Sequence, residues 1–340
     1  MATKRGAWLL PADERQMVIR SQIIGAGGYL PARVVTNDEL AQQLDTSDAW
    51  IQERTGIRQR HIAAPEETAA FMGAAAARSA LREAGAGVDD VDAIVLATTT
   101  PDQAFPATAV RVQALLGIKR GFAFDVSAAC SGFIYALAVA DAMLRAGTAR
   151  SALVIGSEVY SRILDWSDRS TAVLFGDGAG AVYLRAGKGE GLGTDRGILS
   201  THLHSQGELG DILYVDGAVG RRDRPGTLVM NGREVFRHAV VRLAEAVDEA
   251  LLANGLDRGQ VDWLVPHQAN MRIIEAMRRK IALRPEQVVV TVDRHANTSA
   301  ASIPLALAEA VSDGRIRSGD LVLMEALGGG LTWGSALVRL

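Results

Sequence analysis

The feature that most constrains this chain is that it sets out one layout twice. An apolar run rich in β-branched residues (91–96) leads to a helical segment (107–116) and a second apolar run (121–126). A loop of small residues, another helical pattern and a last apolar run (153–156) follow. The same order returns at 261–265, 270–281 and 288–292, then a small-residue loop, a helical pattern and a run at 321–324. The spacing after the loop repeats as well. Cys130 lies 17 residues before Gly147 and 20 before Arg150; Asn297 lies 17 before Gly314 and 20 before Arg317. Buried apolar runs alternating with helices predict an α/β fold with parallel sheet covered on both faces. Duplication predicts two halves about a pseudo-twofold axis, with Cys130 and Asn297 at equivalent places beside the join.

The length, 340 residues with 48% hydrophobic residues and 35 glycines, fits two domains or one large double domain. The halves are expected at 18–190 and 191–340. Residues 1–17 read as a loose N-terminal extension, or as a start codon assigned too early. Lys4 and Arg5 precede only a short apolar stretch that Pro11 breaks, too little for a signal-peptide core. An intact Met1 end in the mass spectrum of the native protein rejects the second option.

The net charge of -3 gives no global attraction for nucleic acid or an anionic membrane. No apolar run approaches the roughly 20 residues needed to span a bilayer. The single cysteine makes no internal disulfide, and a reducing, cytoplasmic setting is expected. No metal site is expected either: His202-Leu-His204 has no third ligand at convincing spacing. Gly25-Ala-Gly27-Gly28 lacks the third spaced glycine of a dinucleotide loop and reads as strand-end turns. The glycines of Phe175-Gly-Asp-Gly-Ala-Gly read as close backbone packing.

Cys130 sits in Phe122-Ala-Phe-Asp125-Val-Ser-Ala-Ala-Cys130-Ser-Gly132, which reads as strand, tight turn and helix start. A thiol there meets the positive end of the helix dipole, which favours thiolate. Free N–H groups of the first turn are placed to bind an oxyanion. The competing reading is a buried structural cysteine. Pro266-His267-Gln268 puts a histidine just past a strand, at the carboxyl edge where α/β proteins gather their sites. His295-Ala-Asn297-Thr-Ser-Ala-Ala puts Asn297 in the second small-residue loop.

The chain resembles the β-ketoacyl-acyl carrier protein synthase III family of the thiolase-like superfamily over residues 18–340. The resemblance rests on Thr46-Ser-Asp-Ala-Trp50-Ile-Gln-Glu-Arg54-Thr-Gly-Ile-Arg58, Asp125-Val-Ser-Ala-Ala-Cys130-Ser-Gly-Phe, Phe175-Gly-Asp-Gly-Ala-Gly, Val265-Pro-His267-Gln-Ala-Asn270, His295-Ala-Asn297-Thr-Ser-Ala-Ala-Ser and Gly328-Gly-Gly330-Leu-Thr-Trp-Gly. It implies a five-layered α-β-α-β-α fold and a homodimer. It also implies a two-step reaction: Cys130 takes an acyl group, typically acetyl, from coenzyme A. Malonyl on acyl carrier protein then loses CO2 and attacks the thioester. His267 and Asn297 hold the enolate, and backbone N–H groups of Cys130 and Gly329 form the second oxyanion hole. No cofactor is implied, since the coenzyme A thioester is a substrate. Thiolases would need a second cysteine, and elongating ketosynthases a second histidine where Asn297 stands.

By the same resemblance, coenzyme A meets Trp50, Arg54 and Arg169. The acidic carrier protein meets Arg237, Arg272, Arg279 and Lys280. Phe105 closes the acyl pocket as in short-chain enzymes, while Leu327 and Leu331 replace the usual phenylalanines; Leu327 is expected beside Cys130. Acetyl is therefore the first expectation and a longer or branched primer of secondary metabolism the second. A glycine- and arginine-rich stretch (216–225) is expected to reshape the entrance, and Arg233 stands where an amide often contacts coenzyme A. A cysteine hydrolase, with His267 as base, and a non-catalytic scaffold are the other classes.

Overall fold

A computed structural model describes residues 17–217 and 226–340. The expected N-terminal extension and most of the stretch 216–225 lie outside these residues. The first half runs β1 (Val18–Tyr29), β2 (Arg33–Thr36), α1 (Asn37–Ala41), α2 (Asp48–Thr55), β3 (Gln59–Ile62), α3 (Ala69–Glu83), β4 (Ala93–Ala97), α4 (Thr108–Leu116), β5 (Phe122–Val126), α5 (Gly132–Arg145), β6 (Ser151–Val159), α6 (Arg169–Ala172) and β7 (Asp177–Gly189). The second half runs β8 (Gly197–Ser205), β9 (Leu213–Val215), β10 (Leu228–Met230), α7 (Gly232–Ala253), β11 (Trp263–Pro266), α8 (Met271–Lys280), α9 (Val292–His295), α10 (Ser302–Ser312), β12 (Leu321–Gly328) and β13 (Thr332–Arg339).

Each half builds one large sheet, in the order β1-β7-β6-β4-β5 for the first and β8-β13-β12-β11 for the second, and a two-stranded one, β2-β3 and β9-β10. The pairs β4–β5, β4–β6 and β11–β12 are parallel, and β1 and β7, or β8 and β13, close each sheet antiparallel. α5 and α10 fill the space between the two sheets with Ala, Ile, Leu and Val. α3 and α4 cover the outer face of the first sheet, and α7 and α8 that of the second. These are the five layers that the resemblance implied. The chain passes from one sheet to the other between Gly189 and Gly197.

The duplication is less exact than the spacing suggested. Residues 288–292 do not form a strand: Val288 makes one isolated parallel bridge to Leu264, and α9 begins at Val292. The second sheet thus has four strands among the described residues. The equivalence of Cys130 and Asn297 also fails. Ala129 (φ 45°) and Ser299 (φ 50°) take the same left-handed step into a short 3-10 turn, and α5 and α10 follow at Gly132 and Ser302. Matched turn by turn, Cys130 corresponds to Ala300, and Asn297 falls three residues earlier. α5 has 14 residues and α10 has 11, and that difference of three restored the equal spacing downstream.

Local chemistry explains the joints. The Asp125 carboxylate accepts from the N–H groups of Thr108 and Ala109 (2.6 and 2.7 Å), capping α4 from β5. Gly25 and Gly27 are not in turns; they lie inside β1. A Cβ on Gly27 would stand 2.3 Å from the Ala80 nitrogen, so the glycines let α3 press against the sheet. Gly180 likewise admits α10, where a Cβ would meet the Leu305 nitrogen at 2.5 Å.

Candidate active site

A cleft of about 1240 Å³ opens where the two halves meet. Cys130, His267 and Asn297 all line it, together with Trp50, Arg54, Arg233, Arg272, Leu327 and Gly329. Cys130 is 5% exposed, so it is enclosed yet lines the cavity. It sits on the 3-10 turn at the head of α5, as the strand-turn-helix reading required. Thr332 secures that turn: its hydroxyl lies 3.0 Å from the Ala128 carbonyl and 2.8 Å from the Ser131 hydroxyl. The turn that carries Gly329 is held close, because a Cβ on Gly328 would reach 2.6 Å from the Cys130 nitrogen.

The expected thiolate does not hold. Burial pushes the Cys130 thiol up to about 11, and the nearby Glu158 adds to the rise. Hydrogen bonds from Ser299 and Tyr160 work against it. Removing an ion from water outweighs what those donors return, so the resting group is a thiol.

His267 follows β11 directly, and its N–H donates to the Glu325 carbonyl at 2.8 Å. Burial pushes the imidazole down to about 3, so the ring is neutral at physiological pH. Its Nδ1 lies 2.7 Å from the Ser302 hydroxyl, which also accepts from the Gln268 N–H at 3.3 Å. Asn297 is fixed from two sides. Its Oδ1 accepts from the Ser299 N–H at 2.9 Å, which aims the NH2 group elsewhere, and its backbone bridges to Phe175. The Phe175-Gly-Asp-Gly segment therefore positions the site as well as packing the core. His295 does not line the cleft; it faces His61 and pairs with Glu309.

Two guanidinium groups lie over the Trp50 ring, Arg54 at 4.5 Å and Arg169 at 5.2 Å from the ring centre. Arg169 also binds the Asp45 carbonyl at 2.6 Å and does not itself line the cleft. Trp50 belongs to the cleft wall, while its neighbour Ile51 is the core residue. Arg272 lies over Phe236, and Arg279 lines a shallow groove beside it; Lys280 is exposed on the same helix, α8. Arg237 is exposed and paired with Glu234.

One expectation about the acyl pocket changes. Phe105 is 84% exposed and lines no part of this chain's own cleft, because the loop before α4 carries it outward. Leu331 is fully buried in the outer core, tied to Gln206 through both backbone bonds, and only Leu327 reaches the cleft. The sequence reading missed Ser302, Ser299, Tyr160 and Glu158. The first two lie in the motif around Asn297; the others follow an apolar run and carry no signal of their own. His202 and His204 both bind Glu249, and no group of three candidate ligands holds a metal among the described residues.

Residues 124–207 match the family described as 3-oxoacyl-[acyl-carrier-protein (ACP)] synthase III, and residues 251–340 match its C-terminal part. The chain is 72% identical to a β-ketoacyl-[acyl-carrier-protein] synthase III of Acidiphilium cryptum over 94% of its length and 99% of the relative. It superposes on the solved 3-oxoacyl-[acyl-carrier-protein] synthase III of Aquifex aeolicus with a TM-score of 0.87 at 48% identity, over 94% of this chain and all of that one. A priming ketosynthase of the R1128 polyketide pathway aligns with a TM-score of 0.88 at 36% identity, over 94% of this chain and 96% of that one. With relatives this similar over nearly its whole length, and with Cys130, His267 and Asn297 on a single cleft of a duplicated α/β fold, the chain belongs to the β-ketoacyl-acyl carrier protein synthase III family.

Proposed function

We propose that the chain joins an acyl-coenzyme A primer, acetyl first among them, to malonyl-acyl carrier protein with loss of CO2, and so starts fatty acid chains. The observation that carries this reading is the convergence of Cys130, His267 and Asn297 on one cleft that Trp50 and Arg54 also line. Cys130 attacks the primer's carbonyl and keeps the acyl group as a thioester, releasing coenzyme A. The N–H groups of Cys130 and Gly329 face the oxyanion of that step.

The second step builds negative charge on the malonyl thioester oxygen as CO2 leaves. A neutral His267 suits it. With the Ser302 hydroxyl donating to Nδ1, the ring proton is on Nε2, where it meets the enolate beside the Asn297 NH2. Loss of CO2 itself makes the carbanion, so no base is needed and no cofactor enters. Trp50 offers a face for the adenine, with Arg54 and Arg169 on its phosphates. Arg237, Arg272, Arg279 and Lys280 offer positive charge to the acidic carrier protein.

The protein acts as a homodimer in this reading. β5 is an edge strand of an otherwise buried sheet, and its Phe122 and Phe124 are only partly covered. Asp125 ties that edge to α4 and thus to the loop carrying Phe105, so a partner across β5 is the surface this aromatic ring can close upon. The free catalytic thiol fits a reducing cytoplasm. A longer or branched primer is the second reading; Leu327 in the cleft wall, where the resemblance has phenylalanine, favours it, and competition between acetyl- and branched acyl-coenzyme A measures it. The main test is mass spectrometry. Acetyl-coenzyme A adds an acetyl group to Cys130, and malonyl carrier protein then yields the ketoacyl product. Free acetate alone would mean a hydrolase, and no adduct would mean a scaffold.

A further inference from the structure

One buried cation has no part in the reaction above. Arg60, on β3, has no exposed surface, although an arginine's charge belongs in water. Burial pushes it down to about 10, so it stays charged at neutral pH. Its three acceptors are all neutral. Nη1 donates to the Val35 carbonyl at 3.2 Å and to the Asn37 side-chain oxygen at 2.9 Å, and Nη2 donates to the Val173 carbonyl at 2.8 Å. Nε has no partner. Stability alone does not ask for such a group, because an apolar side chain of similar volume commonly serves a buried site as well. What the guanidinium does, and an apolar chain cannot, is bond in two directions at once.

The Nη1 side leads to α2. Asn37 is buried, and its NH2 group donates to the Ile57 carbonyl at 2.7 Å, just past that helix, and to the Asp48 carboxylate at 2.9 Å, at its first residue. Asp48 also accepts from the Gln52 amide, one turn on, at 2.6 Å. Trp50 and Arg54 stand on this helix. The Nη2 side leads to α6. Val173 caps its C-terminal end and lines the cleft, and Arg169 opens it. One side chain thus joins the two helices that carry Trp50, Arg54 and Arg169. Nearer the surface the same helices meet through Arg169, on the Asp45 carbonyl and over the Trp50 ring. An adenine on that ring competes with the outer contact, whereas the Arg60 tie is buried and out of its reach.

We propose that Arg60 is a positioning residue for acyl transfer from coenzyme A, fixing the spacing of α2 and α6 so that Trp50, Arg54 and Arg169 meet the nucleotide already in place. It touches no substrate itself. Its stem has a second neighbour: a Cβ on Gly176 would stand 3.2 Å from the Arg60 Cβ, and the Gly176 N–H donates to the Asn297 carbonyl at 3.1 Å. Arg60→Met keeps that Cβ, so it cuts the tie without opening space behind Asn297.

The inference rests on the coenzyme A reading of Trp50, Arg54 and Arg169, and the choice of acyl donor separates the two. Acetyl-coenzyme A is compared with acetyl-N-acetylcysteamine, a thioester with neither adenine nor phosphate. In Arg60→Met, the concentration of acetyl-coenzyme A that half-saturates single-turnover acetylation of Cys130 is expected to rise about tenfold, with the limiting rate unchanged. Acetylation by the truncated thioester is expected to keep its wild-type rate. Asp48→Ala cuts the same line at its outer end and leaves the buried groups in place. It should show the same split between donors, and it decides alone if Arg60→Met does not fold. The double variant should be no weaker for acetyl-coenzyme A than Arg60→Met. Equal loss with both donors, or wild-type half-saturation by acetyl-coenzyme A, overturns the tie. A wild-type protein that takes both donors equally well would overturn the coenzyme A reading of Trp50, Arg54 and Arg169 and the tie with it.

Discussion

At Cys130 and His267 one cause, burial, acts on both groups in opposite directions, raising the acid and lowering the base until each is neutral. The nucleophile and the imidazole thus begin without formal charge, and the site's donors are most effective where charge appears. Asn297→Ala removes one such donor, with an expected loss of about 3 kcal/mol of transition-state stabilisation. That is a fall on the order of 10²-fold in condensation from the isolated acyl-enzyme, with acetylation by acetyl-coenzyme A little changed. Glu325 offers a separate test of burial. It is fully enclosed on β12, its Oε2 has no hydrogen-bond partner, and burial raises it to about 8. A carboxyl raised on folding adds stability below its unfolded value of ~4.3 and loses that addition as pH rises towards 8. Across that window the loss is about 1.4 kcal/mol per pH unit. Glu325→Gln should remove this slope, visible as a smaller fall in Tm between pH 6 and pH 9. The sequence revealed Cys130 and His267 because each follows a strand, and Asn297 because it opens a run of small residues, although a short helix and not a strand precedes it. Glu325 and Glu158 lie among apolar residues of strands, where only the third dimension shows what a carboxyl group touches.

At the scale of elements, strands and helices with a clear pattern were legible: α4 and α8 begin within one residue of their expected positions. What misled was spacing. Equal distances after Cys130 and Asn297 arose from a helix three residues shorter beginning three residues later, a compensation that no count along the chain detects. The run 288–292 has β-branched residues enough for a strand. Yet the Gln268 side chain captures the N–H groups of Thr291 and Val292 (2.8 and 3.0 Å), leaving one bridge. The glycines of β1 illustrate a further limit, because a glycine demanded by a neighbour looks the same in sequence as one demanded by a turn. Gly27→Val should lower the thermal midpoint sharply, by the equivalent of roughly 3 kcal/mol or more, since its Cβ would enter the α3 backbone. The same substitution at Gly85, whose Cβ position is open, should cost far less, about 1 kcal/mol for its left-handed backbone.

For the whole molecule, the charge that matters is local, and the total of -3 hides it. Arg272→Glu should raise the apparent KM for malonyl carrier protein roughly tenfold and leave acetylation by acetyl-coenzyme A intact; equal loss of both would place Arg272 in the coenzyme A site instead. Phe122→Glu sets like charges on the open edge of the first sheet, and sedimentation should then report a smaller mass than for the wild type. The pseudo-twofold layout was legible from the repeated order of elements, whereas the inequality of its halves was not. That inequality has an effect on growth. Were both sheets finished with an open fifth strand, each molecule would offer two sticky ends, and copies could string together without limit. With 288–292 left out of the second sheet, a dimer joined across β5, as proposed, would use up that end in both copies at once.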